Sequence, residues 1–213
     1  ISLNGVWNLL GQRQEGDGKE KINIPATVPG VVQLDLSKAG YLPEDLFMGM
    51  NITETEKFED WEWWYERTFT APEERENVYL VFEGVDSSMS LYINGEFVGY
   101  SQISHQLAEF DITSYLHVGR NRMTVVVPKW CDGTYLECQD KWRMSGIFRD
   151  VYLLARNKKR IDDICVTTNL DNTYTDGKIT ATVETNKKMA VTAKLYDAEN
   201  KLVEEKAVND SVV

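Results

Sequence analysis

Short segments in which apolar and polar side chains alternate, separated by turn residues, run along almost the whole chain. Alternation with a period of two residues is typical of β-strands that bury one face. Enrichment in β-branched and aromatic residues predicts a further strand at Val78–Phe82, and a nearly continuous apolar run predicts one at residues 123–127. The sequence also predicts a hairpin in which residues 91–93 and 97–100 flank Asn94-Gly95, because that dipeptide tolerates the positive φ angles of a type I′ turn. We therefore predict an all-β fold.

Two segments near the start depart from this strand pattern. Residues 31–39 follow Pro29-Gly30, carry apolar residues at helical spacing and stop at Gly40, which predicts a short helix. Residues 11–21 are polar and contain glycine, which predicts a mobile loop.

The composition changes after residue 154. Beyond a basic junction at residues 158–160, alternation predicts strands at residues 161–168, 178–184, 190–196 and 202–207. An immunoglobulin-like sandwich has about seven strands in ~100 residues, so these strands are too few to complete one. We therefore expect a first domain at residues 1–156 and a partial second domain at residues 157–213.

Charge and cysteine content narrow the function classes. The formal net charge is −11 without a basic stripe, which argues against a nucleic-acid partner and against an anionic membrane. No apolar run approaches the ~20 residues that a membrane helix needs. Cys131, Cys138 and Cys165 lack zinc-site spacing. One alternative is a disulfide between Cys131 and Cys138. The simpler interpretation is three free thiols in a reducing compartment, which predicts a cytoplasmic protein.

An aromatic cluster lies along a predicted strand at residues 60–67. Trp61, Trp63 and Tyr65 alternate onto one face, and Trp64 lies on the other. These rings either fill the core or offer a plane on which the apolar face of a sugar ring can stack. The exposure of the rings distinguishes the two alternatives.

Residues 130–150 are rich in both aromatic and charged side chains. Asp132, Glu137 and Asp140 are candidates for the paired carboxylates of a glycosidase, which lie about 5–5.5 Å apart in retaining enzymes. An Asp-rich calcium site is another alternative. Arg143 and Arg149 lie close by in sequence, and we expect them to pair with these carboxylates and fix the loop.

Several motifs together carry a family resemblance. They are G-Y-S-Q at residues 99–102, E-F-D-I at 109–112, G-x-N-R at 119–122 and W-x-D-G-x-Y-L-E-x-Q-D-x-W-R-M-S-G-I-F-R-D-V at 130–151. The set resembles the N-terminal domain of β-galactosidases of glycoside hydrolase family 2 over residues 1–156. The remainder is similar to the start of the immunoglobulin-like domain that follows in such enzymes.

The resemblance implies a jelly-roll (galactose-binding-like) β-sandwich followed by a truncated immunoglobulin-like β-sandwich. It implies that catalysis uses two glutamates of a later TIM barrel, so this chain has no catalytic residue and is expected to be inactive alone. The implied ligand is a β-galactoside. The implied partners are the chain's own downstream immunoglobulin-like and TIM-barrel domains.

The resemblance also implies individual site residues. Asp132, the Asp of W-x-D-G, is implied to contact the galactosyl group and to help hold an alkali-metal ion. Asn51 is implied as a second sugar contact. The implied ions of the parent enzyme are sodium and magnesium, with no cofactor in this chain by itself. The residues expected to position the loop and seal the domain interface are Trp130, Glu137, Asp140, Trp142, Arg143 and Arg149.

Other motifs keep alternatives open. V-P-G-V-V at residues 28–32 and W-W-Y-x-R-x-F at residues 63–69 look more like β-mannosidases or β-glucuronidases of the same family. A fragment of such an enzyme is therefore an alternative parent. A non-catalytic carbohydrate-binding module and a purely structural sandwich are hypotheses from other functional classes.

Overall fold

The computed structural model describes residues 1–15, 18–43, 57–58, 60–72, 77–137, 144–208 and 211–212. Within these residues the chain divides into two compact units, Ile1–Ala155 and Arg156–Val213. The regular structure of both units consists mainly of β-strands. The predicted all-β class is therefore confirmed.

The first unit is a β-sandwich. Its elements, in chain order, are β1 Gly5–Glu15, β2 Gly18–Val28, α1 Val32–Lys38, β3 Glu62–Thr70, β4 Val78–Phe82, β5 Val85–Asp86, β6 Ser88–Ile93, β7 Glu96–Gln102, β8 Ala108–Asp111, β9 Arg120–Pro128, α2 Thr134–Glu137, β10 Gly146–Ile147 and β11 Val151–Ala155. The largest sheet has the antiparallel strand order β2-β1-β3-β9-β6-β7. The strands β11-β4-β8 and the pair β10-β5 form further sheets. Apolar side chains from all these sheets join one buried core, which is the layering of a sandwich.

The prediction of a loop at residues 11–21 is wrong. Strands β1 and β2 pair in continuous register from Gly5 opposite Val28 to Glu15 opposite Gly18, so most of the segment belongs to a hairpin. The polar side chains are tolerated because β2 is the edge strand of its sheet. The glycine that suggested a loop has a packing role instead: a Cβ atom on Gly11 would lie 2.4 Å from Cζ3 of Trp63.

The predicted hairpin at residues 91–100 is confirmed. Asn94 and Gly95 have φ angles of 53° and 89°, as a type I′ turn requires. The Asn94 amide nitrogen donates to the Asn121 side-chain oxygen at 2.8 Å, and Asn94 Oδ1 accepts from the backbone of Arg122 at 3.0 Å. The hairpin tip is thereby tied to the turn that precedes β9.

The predicted helix is confirmed as α1, which begins at Val32 and ends at Lys38. Gly40 follows with a φ of 81°, a conformation that glycine adopts at little cost. The helix buries Val32 and Leu36 in the core, together with the Asp35 carboxylate, which accepts from the backbone N–H of Thr27 at 3.2 Å.

The second unit contains the strands β12 Ile161–Leu170, β13 Gly177–Thr185, β14 Val191–Tyr196, β15 Leu202–Val208 and β16 Ser211–Val212. The sheets are β12-β13-β16 and β14-β15. The strands predicted in this part of the chain are thus confirmed. Several apolar side chains of β12, including Ile164, Val166 and Leu170, are more than half exposed.

The helices that the structure describes are all too short, or too polar, to span a lipid bilayer.

Candidate functional site

The turn that carries Asp132 follows directly after β9. Its first residues are fixed by reciprocal hydrogen bonds: the Cys131 N–H donates to Thr134 Oγ1 at 3.0 Å, and the Thr134 N–H donates to the Cys131 carbonyl at 3.0 Å. The Cys131 thiol lies 3.8 Å from the carbonyl oxygen of Ser87, which directly precedes β6, the strand beside β9. Thr134 is buried, whereas Asp132 is exposed. The turn therefore has a buried base and presents its carboxylate to solvent.

The second half of the turn is the single-turn helix α2. The Gly133 carbonyl accepts from the backbone N–H groups of Leu136 at 3.0 Å and of Glu137 at 2.9 Å, and the Asp132 carbonyl accepts from Tyr135 at 3.3 Å. The side chains of Tyr135 and Leu136 are 92% and 82% exposed. Large apolar side chains this exposed, next to an exposed carboxylate, are typical of a surface that contacts a further molecule or domain.

The Glu137 carboxylate points back to the sandwich. Its Oε2 accepts from Ser104 Oγ at 2.6 Å and from the Ser104 N–H at 3.2 Å. Ser104 is 1% exposed and lies in the loop after β7. Sequence reasoning predicted a positioning role for Glu137 but missed Ser104, because no local motif pairs two residues that are 33 positions apart.

Arg149 contacts the same loop at the residue after Ser104. Its guanidinium lies 5.5 Å from the centroid of the Phe148 ring, and Nη1 donates to the His105 carbonyl at 3.4 Å. Within the described residues, Arg149 forms no ion pair with Asp132 or Glu137. Phe148 also lies against Gly84, where an added Cβ would be 2.8 Å from the ring.

Trp130 lies at the beginning of the turn and is 38% exposed. The ammonium group of Lys129 lies 5.4 Å from the centroid of its ring. Trp130 is therefore a partly exposed aromatic side chain beside Asp132.

The aromatic cluster around β3 belongs to the core. Trp61 and Trp63 stack with ring centroids 5.6 Å apart, and each is at most 3% exposed. Tyr65 is fully buried. Of the two alternatives for these three rings, core filling is confirmed, and they are not available to stack on a sugar. Trp64 lies on the other face of β3 and is half-buried.

The remaining candidate residues lie outside the part of the chain that the structure describes. These are Asn51, Asp140, Trp142 and Arg143, together with Cys138. The described cysteines, Cys131 and Cys165, are free thiols.

The cation predicted at Asp132 needs several oxygen ligands. Among the described residues no group of three or more His, Cys, Asp or Glu side chains is placed to hold a metal ion. Asp132 supplies one suitable oxygen ligand, and no such cluster of His, Cys, Asp or Glu side chains surrounds it within the described residues.

The family description "Glycosyl hydrolases family 2, sugar binding domain" matches residues 2–157 of this chain. Among curated proteins, a β-galactosidase of Staphylococcus xylosus is 39% identical over 186 residues, which is 86% of this chain and 16% of that protein. A β-galactosidase of Actinobacillus pleuropneumoniae is 55% identical over 108 residues, which is 51% of this chain and 11% of that protein. The chain thus spans between about a tenth and a sixth of the length of these relatives.

Solved structures share the fold at lower identity. A β-D-mannosidase from Dictyoglomus thermophilum has a TM-score of 0.74 and 24% identity, covering 98% of this chain and 29% of that one. A β-glucuronidase from an uncultured Clostridium has a TM-score of 0.73 and 24% identity, covering 97% of this chain and 37% of that one. At this identity the likeness supports the fold alone.

Proposed function

This chain belongs to glycoside hydrolase family 2 through its sugar binding domain, and from that premise we propose that it is the N-terminal sugar-binding part of a retaining β-galactosidase. The observation that carries the proposal is 39% identity to a β-galactosidase along 86% of the chain. The mannosidase and glucuronidase structures are at most 24% identical and favour neither of those substrates.

Asp132 is the residue of this domain that we propose to bind the galactosyl group. It is exposed on a turn whose base is buried, so the carboxylate is presented from a rigid support. A carboxylate accepts hydrogen bonds from sugar hydroxyls, which suits a neutral polar ligand. Asn51 is proposed as a second sugar contact.

The reacting carboxylates are proposed to lie in a TIM barrel elsewhere in the parent protein. A retaining glycosidase needs an acid and a nucleophile facing each other across the glycosidic bond, about 5–5.5 Å apart. Glu137 is the described acid nearest to Asp132 along the chain, and its carboxylate is engaged with Ser104. It is therefore poorly placed to be the second member of such a pair.

The exposed side chains around Asp132 are proposed to meet that barrel. Tyr135 and Leu136 project from α2, and Trp130, two residues before Asp132, is partly exposed. Burying these side chains against a neighbouring domain would exclude water around Asp132 and strengthen its contacts with a sugar. The other loop-positioning candidates, Asp140, Trp142, Arg143 and Arg149, are proposed to support the same interface.

Sodium and magnesium are proposed for the parent enzyme rather than for this chain. Asp132 can offer one carboxylate oxygen to a hard cation. We propose that other ligands come from the rest of the parent protein, since the described residues form no cluster of three or more His, Cys, Asp or Glu side chains.

A chromogenic β-galactoside tests the proposal. The 213-residue chain alone is expected to give no turnover, and the full-length protein that carries it is expected to hydrolyse the substrate. In the full-length protein, Asp132→Asn is expected to lower kcat/KM about 10- to 100-fold, because the sugar loses a hydrogen bond to a charged group. Asp60→Asn is the matched control, because Asp60 is an exposed aspartate of the same unit. A full-length protein that hydrolyses β-mannosides or β-glucuronides instead would refute the galactosidase assignment.

Titration of the 213-residue chain with galactosides separates this proposal from a free-standing carbohydrate-binding module. A module binds sugar without help from a barrel, in the micromolar to millimolar range. We expect no binding in that range, because Asp132 alone is open to water.

A further inference from the structure

The hydrogen bonds between Glu137 and Ser104 join two loops that are distant in sequence. Ser104 donates both its hydroxyl and its backbone N–H to the same oxygen, Glu137 Oε2, at 2.6 Å and 3.2 Å. A carboxylate that accepts two hydrogen bonds from one buried residue is fixed in both its orientation and its distance relative to that residue. Glu137 ends α2, the helix whose first turn begins two residues after Asp132.

The backbone before Ser104 adopts a conformation that its sequence does not favour. Ile103 has a φ of 83°, in the left-handed region that β-branched residues rarely enter. Ile103 is 51% exposed while Ser104 is 1% exposed. The turn continues with a hydrogen bond from the Gln106 N–H to the Ile103 carbonyl at 3.1 Å. An uncommon backbone conformation persists only where surrounding contacts hold it, and such positions cluster at functional sites.

The His105 ring is a third polar group of this cluster, beside Ser104 and Glu137. Ser104 Oγ has a single proton, and that proton lies in the short bond to the Glu137 carboxylate. The His105 ring nitrogen Nδ1 lies 2.9 Å from the same Oγ. When Ser104 Oγ donates to Glu137, the His105 tautomer that carries its proton on Nδ1 is the one that can donate to Ser104 Oγ. In that arrangement the hydrogen bonds run from His105 through Ser104 to the Glu137 carboxylate, which is the last acceptor.

The turn that carries Asp132 is thus attached to the sandwich at both ends. At one end, Cys131 and Thr134 form their reciprocal hydrogen bonds beside the Ser87 carbonyl. At the other end, the attachment is the Glu137–Ser104 contact. The side chains between them, Tyr135 and Leu136, are almost fully exposed and contribute little packing within this unit.

We infer that Ser104 is a positioning residue for sugar binding, which acts through Glu137 to hold the turn that presents Asp132. The inference rests on the proposed function for its consequence in catalysis. The attachment itself is a property of this chain and is measurable without any activity.

Amide hydrogen exchange on the 213-residue chain tests the attachment. Ser104→Ala is expected to speed exchange at the amides of Tyr135, Leu136 and Glu137 about 3- to 10-fold, the effect of one lost hydrogen bond. Exchange at the core amides of β9 reports whether the sandwich remains folded. Ser101→Ala is the matched control, since among the described residues the Ser101 hydroxyl reaches no group beyond the neighbouring Gln102 carbonyl, at 3.5 Å. Unchanged exchange in α2 would overturn the inference.

A second variant changes the other partner of the same contact, Glu137. Glu137→Gln keeps an oxygen that can accept from Ser104 but removes the charge, so it is expected to give a smaller increase in exchange than Ser104→Ala. If Ser104→Ala fails to fold, Glu137→Ala, which removes both acceptor oxygens, decides instead: faster exchange at Tyr135 and Leu136 supports the attachment, and unchanged exchange overturns it.

Steady-state kinetics of the full-length protein test the consequence. Ser104→Ala is expected to raise KM for a β-galactoside about 3- to 10-fold with a smaller change in kcat, because binding of the galactosyl group is weakened. Ser101→Ala should leave both unchanged. If Asp132→Asn impairs the enzyme while Ser104→Ala leaves KM unaltered, the positioning role is wrong although the proposed function stands. If the unmodified protein has no galactosidase activity, the proposed function is wrong, and the exchange measurement still decides the attachment.

Discussion

Gly11 of β1 lies directly against the indole ring of Trp63 on β3, so closely that an added Cβ would be 2.4 Å from Cζ3. The same Cβ would also be 2.9 Å from Cε3 of Trp61. The stacked pair of Trp61 and Trp63 therefore occupies the space that a side chain at position 11 would need. The glycine allows two large rings to enter the core beside a strand backbone.

We predict that Gly11→Ala destabilises the first unit. The new methyl group must displace a buried indole ring, and overpacking of this kind costs about 1–3 kcal/mol. Urea denaturation followed by tryptophan fluorescence measures the change in the free energy of unfolding. Gly133→Ala is the control, since within the part of the chain that the structure describes its Cβ would meet Cys131 Sγ alone, at 3.6 Å, an ordinary contact. A loss no larger than that of the control would contradict the packing role of Gly11.

Asn121 provides a second prediction. It is 1% exposed, and its amide nitrogen donates to the carbonyls of His117 at 3.0 Å and Gly119 at 2.9 Å. Its oxygen accepts from the His117 N–H at 2.7 Å and from Asn94. Asn121→Ala leaves several of these groups without their partner, and we expect a loss of about 2–4 kcal/mol.

Asn8→Ala is the control for Asn121→Ala, because Asn8 is exposed and should change the free energy of unfolding by no more than about 0.5 kcal/mol. Chemical denaturation of both variants provides the comparison. Equal stability of the two variants would show that the Asn121 hydrogen bonds do not hold the turn before β9.

The buried Asp35 carboxylate gives a pH-dependent prediction. Burial raises its pKa above the usual value of 3.8, and the hydrogen bond from Thr27 and the Lys38 ammonium at 3.5 Å oppose this only in part. In the interval between 3.8 and the raised pKa, the folded state binds more protons at Asp35 than the unfolded state does. The contribution of Asp35 to stability therefore falls as the pH rises through that interval.

Asp35→Asn keeps an oxygen that can accept from Thr27 and removes the titration. The free energy of unfolding of the unmodified chain, relative to Asp35→Asn, is expected to be lower at pH 7 than at pH 4. Denaturant titrations of both proteins at the two pH values measure this difference. A relative stability that is equal at both pH values, or higher at pH 7, would contradict the raised pKa.

The two described thiols should differ in reactivity. Cys165 is exposed on β12, whereas Cys131 is half-buried with its sulfur near Ser87 and Thr134. Access limits alkylation of thiols with ordinary reactivity, so we expect iodoacetamide to modify Cys165 before Cys131. Mass spectrometry of timed digests measures the order. The measurement uses a protein in which Cys138 is replaced by serine, so that only Cys131 and Cys165 can be labelled. Equal labelling rates of these two thiols would contradict the difference in access.

The sequence by itself determined the all-β class, most strands and the short helix. These depend on local features: alternation with a period of two marks a half-buried strand, and Asn94-Gly95 specifies its own turn. The long motif at residues 130–151 was also sufficient to indicate the family, because it is contiguous. Its Asp132 stands exposed on a turn, but its role in sugar binding remains a prediction.

Only the tertiary structure decided which polar or glycine-rich segments are strands and which distant residues meet. Gly11 suggested a loop because glycine is usually turn-forming, and only the neighbouring strand with Trp63 shows why it belongs in a sheet. Ser104 and Glu137 carry no local signal, and they meet because the loops after β7 and β9 are brought together by packing of the sandwich. A local pattern indicates which face of a strand is buried. Contacts between distant loops depend on how all the strands pack together, and no short segment of sequence encodes that packing.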